Sequence, residues 1–324
     1  LKIQLLNLGK FKIPLKSNQV RRGLLINLVC DKGANSWAEV SPLPKWSPET
    51  LEDAILQLKE KQHEIFNINW TNDNFFTEIS KLNLLPSVTF GIESALLSLL
   101  DPLSTHSVKT SALFMGSVEE ILEYAKIKRL QGFTSAKLKV SNLTFDEAFF
   151  VINQLKDNFY LRIDVNRAWT TSESLDFFAQ FPLNSFDYVE EPFQNPNDLA
   201  KFLHPLAIDE SYPTDLNLSQ LELLPTLKAI IYKPTIQGGM LGCLALHDFT
   251  KKRGLELVLS SSFESDVGLR DIASMAHRLL LKAPIGIGTY DYLSKTLCDN
   301  ALQFEGPVVH LSGIVTPRRF IDFY

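Results

Sequence analysis

The stretch Tyr160-Leu-Arg-Ile-Asp-Val-Asn-Arg-Ala-Trp-Thr-Thr-Ser-Glu173 decides the fold. Leu161, Ile163 and Val165 fall on one face of an extended segment, and Arg162, Asp164 and Asn166 on the other. Directly after it, Thr170 and Glu173 have capping-box spacing, so a helix begins there. A strand that ends in polar residues and runs into a capped helix is one unit of a β/α repeat. Working outward, further strand signals lie at 111–115, 135–140, 186–190, 206–209, 229–233, 256–261 and near 285–288, with helical stretches between nearly all of them. Ser117 with Glu120 and Thr144 with Glu147 repeat the capping box. Eight such units predict an α/β fold of the parallel (β/α) TIM-barrel type. A doubly wound open sheet shares this rhythm, and periodicity leaves it open.

Ahead of residue 108 the pattern is α+β. Residues 2–6, 24–30 and 37–40 read as strands. Ser47 followed by Pro48 reads as an N-cap with proline at the first helical position, and Leu51, Ile55 and Leu58 give that helix an apolar stripe.

Composition narrows the function classes. The 324 residues carry a net charge of -5, so no basic excess exists to neutralise phosphates, and a nucleic-acid partner is not expected. Arg21-Arg22 reads as a solvated loop or an anion contact. Apolar runs such as 24–30 and 95–100 are far short of a membrane span, so no membrane partner is expected either. Cys30, Cys243 and Cys298 are scattered without a C-x-x-C pair, which fits a reducing compartment. No signal-peptide pattern opens the chain, and the cytoplasm is the expected location. A monomer or small homo-oligomer is expected. The six histidines are scattered, and none is assigned a chemical role.

In a parallel barrel, functional groups gather at the C-terminal strand ends. Lys137 and Lys139 end the second strand, Asp164 the third, Glu190 and Glu191 the fourth, Asp209 and Glu210 the fifth, and Lys233 the sixth. Each has an ordinary explanation alone. Aspartate after a strand commonly caps a helix, strand-end lysines are commonly solvated, and Glu191-Pro192 or Lys233-Pro234 suit a turn. The order Lys, Asp, Glu, Asp, Lys on five consecutive strand ends does not reduce to those cases. Buried charges require partners or a metal, and three carboxylates suit a hard cation such as Mg²⁺. Such a cation acts as a Lewis acid on the charge that develops when a proton is removed beside a carboxylate. A lysine serves as the base only when neutral, and the like charges of Lys137, Arg162 and Lys233 are expected to favour that state in Lys139.

The stretches Ala136-Lys-Leu-Lys139, Asp164-Val-Asn166, Val189-Glu-Glu-Pro192, Asp209-Glu-Ser211 and Lys233-Pro234 resemble the muconate-lactonizing branch of the enolase superfamily. Within that branch the chain resembles the o-succinylbenzoate synthase family of menaquinone biosynthesis, through Trp37-Ala-Glu-Val-Ser-Pro-Leu-Pro44, Leu85-Pro-Ser-Val-Thr-Phe-Gly91 and Leu259-Ser-Ser-Ser-Phe-Glu-Ser265. The resemblance implies an α+β capping domain over residues 1–107, a modified barrel over 108–300, and a C-terminal segment, 301–324, that returns to the cap. It implies one Mg²⁺, with Mn²⁺ as a substitute, held by Asp164, Glu190 and Asp209. Lys139 matches the acid/base and Lys233 the lysine on the opposite face. Ser260, Ser262 and Gly286 lie where family members hold the succinyl carboxylate, with Lys137 and Arg162 as further substrate-side residues. The small-molecule carboxylate implied is 2-succinyl-6-hydroxy-2,4-cyclohexadiene-1-carboxylate, which loses water in a syn elimination. An N-acylamino-acid racemase or dipeptide epimerase would use the same two lysines. A barrel without chemistry that serves as a binding protein is the alternative from another class, and the complete set of five residues argues against it.

Overall fold

The computed structural model describes residues 1–17, 19–311, 316–317 and 321–323. The chain opens with β1 (Ile3–Pro14), β2 (Val20–Cys30) and β3 (Asn35–Val40), an antiparallel meander. Helices α1 (Leu51–Asn67), α2 (Phe75–Leu82) and α3 (Pro86–Leu100) follow. Leu24, Ile26 and Leu28 of β2 pack with Leu58 of α1 and Val88 and Ile92 of α3, giving this unit a core of its own.

The chain then runs through β4 (His106–Lys109), β5 (Ala112–Phe114), β6 (Ser135–Lys139), β7 (Tyr160–Asp164), β8 (Tyr188–Glu190), β9 (Leu206–Ile208), β10 (Leu227–Tyr232) and β11 (Glu256–Leu259). Strands β5 to β11 form one parallel sheet in sequence order. That order is the barrel's, and it excludes the doubly wound alternative, in which strand order reverses. The three expected capping boxes are all formed, with both reciprocal bonds present at Ser117, Thr144 and Thr170. Along each strand the apolar residues turn outward: Ala136, Leu138, Leu161, Ile163 and Val189 join the helix-covered core. Tyr188, Ala207, Ala229, Ile231 and Val258 fill a separate cluster inside the barrel. The mouth above it is left to the charged residues.

Two expectations require correction. The eighth strand is reduced to single bridges, Thr110 with Ile285 and Ser260 with Gly286, which join the two edges of the sheet. The chain turns at Gly288 into the short 3-10 helix Gly288–Tyr292, and close packing requires glycine beside it: a Cβ on Gly286 would lie 2.7 Å from Ser260 Oγ, and one on Gly288 2.7 Å from Leu113 Cβ. Ser47 does not cap α1. Thr50 does, in a capping box with Asp53, and Ser47 Oγ instead accepts the Leu43 N–H.

Beyond the barrel, β12 (Leu302–Glu305) and β13 (Val308–Leu311) form a hairpin whose second strand pairs with β4. Strand β14 (Ile321–Phe323) pairs with β1, and the intervening residues 312–315 and 318–320 lie outside the described ones. Among the described residues no helix is long and apolar enough to cross a membrane. The three cysteines are buried and free.

Candidate active site

The parallel register sets the mouth. Lys139 stands beside Asp164, and Asp164 beside Glu190, on three adjacent strands. Lys137 Nζ lies 2.8 Å from Asp164 Oδ2 and 2.6 Å from Glu190 Oε1. Lys139 Nζ lies 3.0 Å from the same Asp164 oxygen and donates to Asn166 Oδ1 at 2.9 Å. Across the mouth, Lys233 Nζ donates to Asp209 Oδ2. All five residues of the Lys-Asp-Glu-Asp-Lys order are therefore brought together, with Lys137 among them.

Backbone conformation explains how short strands aim so many groups inward. Asn166 (φ 48°), Arg167 (φ 56°) and Glu191 (φ 46°) all adopt the left-handed region just past β7 and β8. Such residues persist only where their surroundings hold them. Asn166 N–H donates to Asp164 Oδ1 at 3.0 Å, and its amide donates to Glu210 Oε1 at 3.0 Å. Glu191 accepts from Asp209 N–H, Ser211 N–H and Ser211 Oγ at 2.6–2.9 Å. The two adjacent glutamates thus differ in kind: Glu191 ties the β8 and β9 loops together, and Glu190 faces the mouth.

The charges are unevenly matched. Burial works against the Asp164 carboxylate, but Lys137 and Lys139 beside it hold it well below the ordinary range. Burial pushes Glu190 well above that range, and the Asp164 and Asp209 charges push the same way. Lys137 and Lys233 are raised despite burial by the carboxylates they face. Glu190 Oε2 is buried and has no hydrogen-bond partner, and neither has Glu210 Oε2. Lys137 meets only one oxygen of Glu190 and leaves the other without a partner, which fits a hard cation there. Among the described residues no three metal-binding side chains already close on one point; Lys137 stands between Asp164 and Glu190, and Lys233 pairs with Asp209.

A cavity of about 150 Å³ opens above this group. Lys137, Lys139, Lys233, Ser260, Ser262 and Gly286 line it, as expected residues; Leu43, Trp46, Asn166, Glu210, Ser261 and Thr289 line it too. Trp46, from the segment before α1, places its ring 5.7 Å from Lys233 Nζ. The only sequence signal for it was its place two residues after the Trp37–Pro44 stretch. Arg162 does not reach the cavity. Its Nε donates to Asp187 Oδ2 at 2.9 Å and its Nη1 to Pro284 O at 2.8 Å, and its guanidinium lies over the Tyr188 ring. These partners sit at the N-terminal ends of the strands, with Glu256 and Lys228 close by. Arg162 therefore neither orients Lys139 nor contacts substrate space.

Residues 10–99 match the family model described as MenC, N-terminal domain, and residues 120–318 match the one described as enolase C-terminal domain-like. An o-succinylbenzoate synthase of Yersinia enterocolitica is 31% identical over 303 residues, covering 87% of this chain and 89% of that protein. The chain belongs to the o-succinylbenzoate synthase family of the enolase superfamily. Among solved structures, a mandelate racemase/muconate lactonizing enzyme from Roseiflexus sp. aligns with a TM-score of 0.84 at 20% identity, covering 98% of each chain. A dipeptide epimerase from Methylococcus capsulatus, complexed with Mg and L-Arg-D-Lys, aligns at 0.82 and 17% identity, covering 97% of this chain and 98% of its own. At these identities the two structures establish the fold, and the family assignment rests on the sequence matches.

Proposed function

We propose that the protein dehydrates 2-succinyl-6-hydroxy-2,4-cyclohexadiene-1-carboxylate to 2-succinylbenzoate. One observation carries the proposal within this family: Lys139 and Lys233 line one cavity from opposite sides of a row of three carboxylates. On this proposal residues 1–107 cap a site that residues 108–300 carry. Asp164, Glu190 and Asp209 would hold a Mg²⁺ ion. Bound there, the ion supplies Lewis-acid charge toward the substrate carboxylate.

The chain's own residues account for the proton movements. The groups lost are the proton α to the carboxylate and the hydroxyl on the adjacent ring carbon, both on one face. Lys139, as a neutral amine, takes the proton and an enediolate forms on the substrate. The Lys233 ammonium stabilises that anion from the other face. Lys139, now an ammonium, returns the proton to the departing hydroxyl, which leaves as water while the ring becomes aromatic. Ser260, Ser262 and Gly286 form the wall that receives the succinyl carboxylate.

Incubating the protein with the cyclohexadiene acid and Mg²⁺ tests this by the appearance of aromatic product. No product, together with fast racemisation of acylated amino acids or epimerisation of dipeptides, would support the second reading, which the two opposed lysines also favour. Calorimetric titration with Mg²⁺ tests the ligand set. Asp164→Ala and Glu190→Ala should each weaken binding by at least about tenfold, and parental affinity in both would exclude the proposed metal site.

A further inference from the structure

Arg21 reads in the sequence as part of a solvated loop or an anion contact, yet it lies in β2 and is 4% exposed. Its guanidinium donates to main-chain carbonyls from two separate parts of the molecule. Nη1 donates to Pro42 O at 2.8 Å and to Arg22 O at 3.3 Å, Nη2 donates to Ser41 O, and Nε donates to Phe263 O at 3.2 Å. Ser41 and Pro42 begin the loop that brings Leu43 and Trp46 over the active-site cavity, and Phe263 belongs to the loop whose Ser260 to Ser262 form its wall.

That wall needs to be held. Phe263 has φ 61°, a region L residues other than asparagine and aspartate rarely adopt. Arg21 takes its carbonyl, and Glu264 ties the turn to the segment that follows Lys233. Glu264 Oε2 accepts Ser262 N–H at 2.5 Å, and its Oε1 accepts Thr235 Oγ at 2.6 Å, two residues beyond Lys233. Glu264 and Glu39 also supply negative charge close to the buried guanidinium.

We infer that Arg21 is a positioning residue that fixes the loop over the cavity, Ser41 to Trp46, against the wall loop, Ser260 to Glu264, and thereby sets the affinity for the substrate's carboxylate arm. The identity of that substrate rests on the proposed reaction; the coupling of the two loops does not. Arginine is required because its planar fork serves carbonyls in several directions at once, whereas a lysine ammonium is a compact point donor.

The test uses full-length Arg21→Lys, Arg21→Met and Glu264→Gln, read by steady-state kinetics and by backbone hydrogen exchange. KM should rise about fivefold in R21K and about tenfold in R21M and E264Q, with kcat within about threefold of the parent. Amides of residues 41–46 and 260–264 should exchange faster together in R21M. The R21M/E264Q double variant should raise KM by less than the product of the single effects. Parental KM in folded R21M, a fall in kcat at constant KM, or faster exchange in only one loop would overturn the inference. If R21M does not fold, R21K and E264Q decide by the same KM criterion. A parent that forms no aromatic product refutes the proposed reaction, and the exchange data then decide the coupling alone.

Discussion

Lys139 and Lys233 contribute differently to the proposed reaction, so truncating each has a different meaning. Lys139→Ala removes both the base and the acid, and kcat should fall by at least about 10³-fold. Lys233→Ala removes charge stabilisation only, and a loss of about 10²-fold is expected. Steady-state rates on variants with parental circular dichroism check both, and near-parental turnover in K139A rules it out as the base. Arg162 shows what residue-level sequence reading can and cannot reach. Alternation correctly placed Arg162 and Asp164 on the inner face of β7 (Asn166 lies past its end), but alternation gives a face and not a depth. Two residues along a strand is about 6.6 Å, and at that level Asp187 and Pro284 O hold the guanidinium. Arg162→Met should therefore act on stability, costing about 2 kcal/mol, because Pro284 O loses its donor while Asp187 keeps Lys228 as its remaining partner. Urea unfolding reads that loss, while kcat/KM of the folded fraction should stay near the parental value.

At the scale of elements, legibility depended on whether a local signal was also the one the tertiary structure used. The boxes at Ser117, Thr144 and Thr170 required nothing beyond their own helices, and all three form. Ser47-Pro48 carried an equally good start signal, but its hydroxyl is committed to Leu43 N–H, and the chain enters α1 one turn later at Thr50. Thr50→Ala should lower the unfolding free energy by about 1 kcal/mol. Ser47→Ala should leave the hydrogen-exchange protection of α1 unchanged, and faster exchange in S47A rather than T50A would return the cap to Ser47. The eighth barrel strand failed for a different reason. Its apolar and glycine pattern fits a strand, but the chain turns into the short helix Gly288–Tyr292, and its glycines answer the approach of Ser260 and Leu113, which no local window contains. The lining residues Leu43 and Trp46 were unassigned for the same reason: they reach the cavity by docking of one unit on another.

For the whole molecule, that docking is where buried carboxyls collect. Glu93 of α3 accepts from Met240 N–H and Leu241 N–H at the start of the helix Gly239–Arg253, joining the N-terminal unit to the barrel. Glu39 of β3 accepts from Ser265 and Gly268 in the same way. Burial pushes the Glu93 carboxyl from its ordinary 4.5 up to about 8, although the helix N-terminus and its two N–H donors favour the ionised form. Burial likewise raises Asp266 to about 6 and Asp271 to about 7. The consequence for stability has a definite sign. Below their unfolded values these groups are neutral in both states. Above them the unfolded chain releases protons that the folded chain retains, so stability falls as pH rises until the folded values are passed. The urea midpoint should therefore decline between about pH 5 and pH 8. Glu93→Gln places an amide against backbone donors and lowers the midpoint at pH 5, but it removes one titrating group, so its decline across that interval should be shallower than the parent's. A parental slope in E93Q would mean that Glu93 is ionised in the folded protein throughout the range, held so by Met240 and Leu241, and that the seam is no more weakly joined at pH 8 than at pH 5.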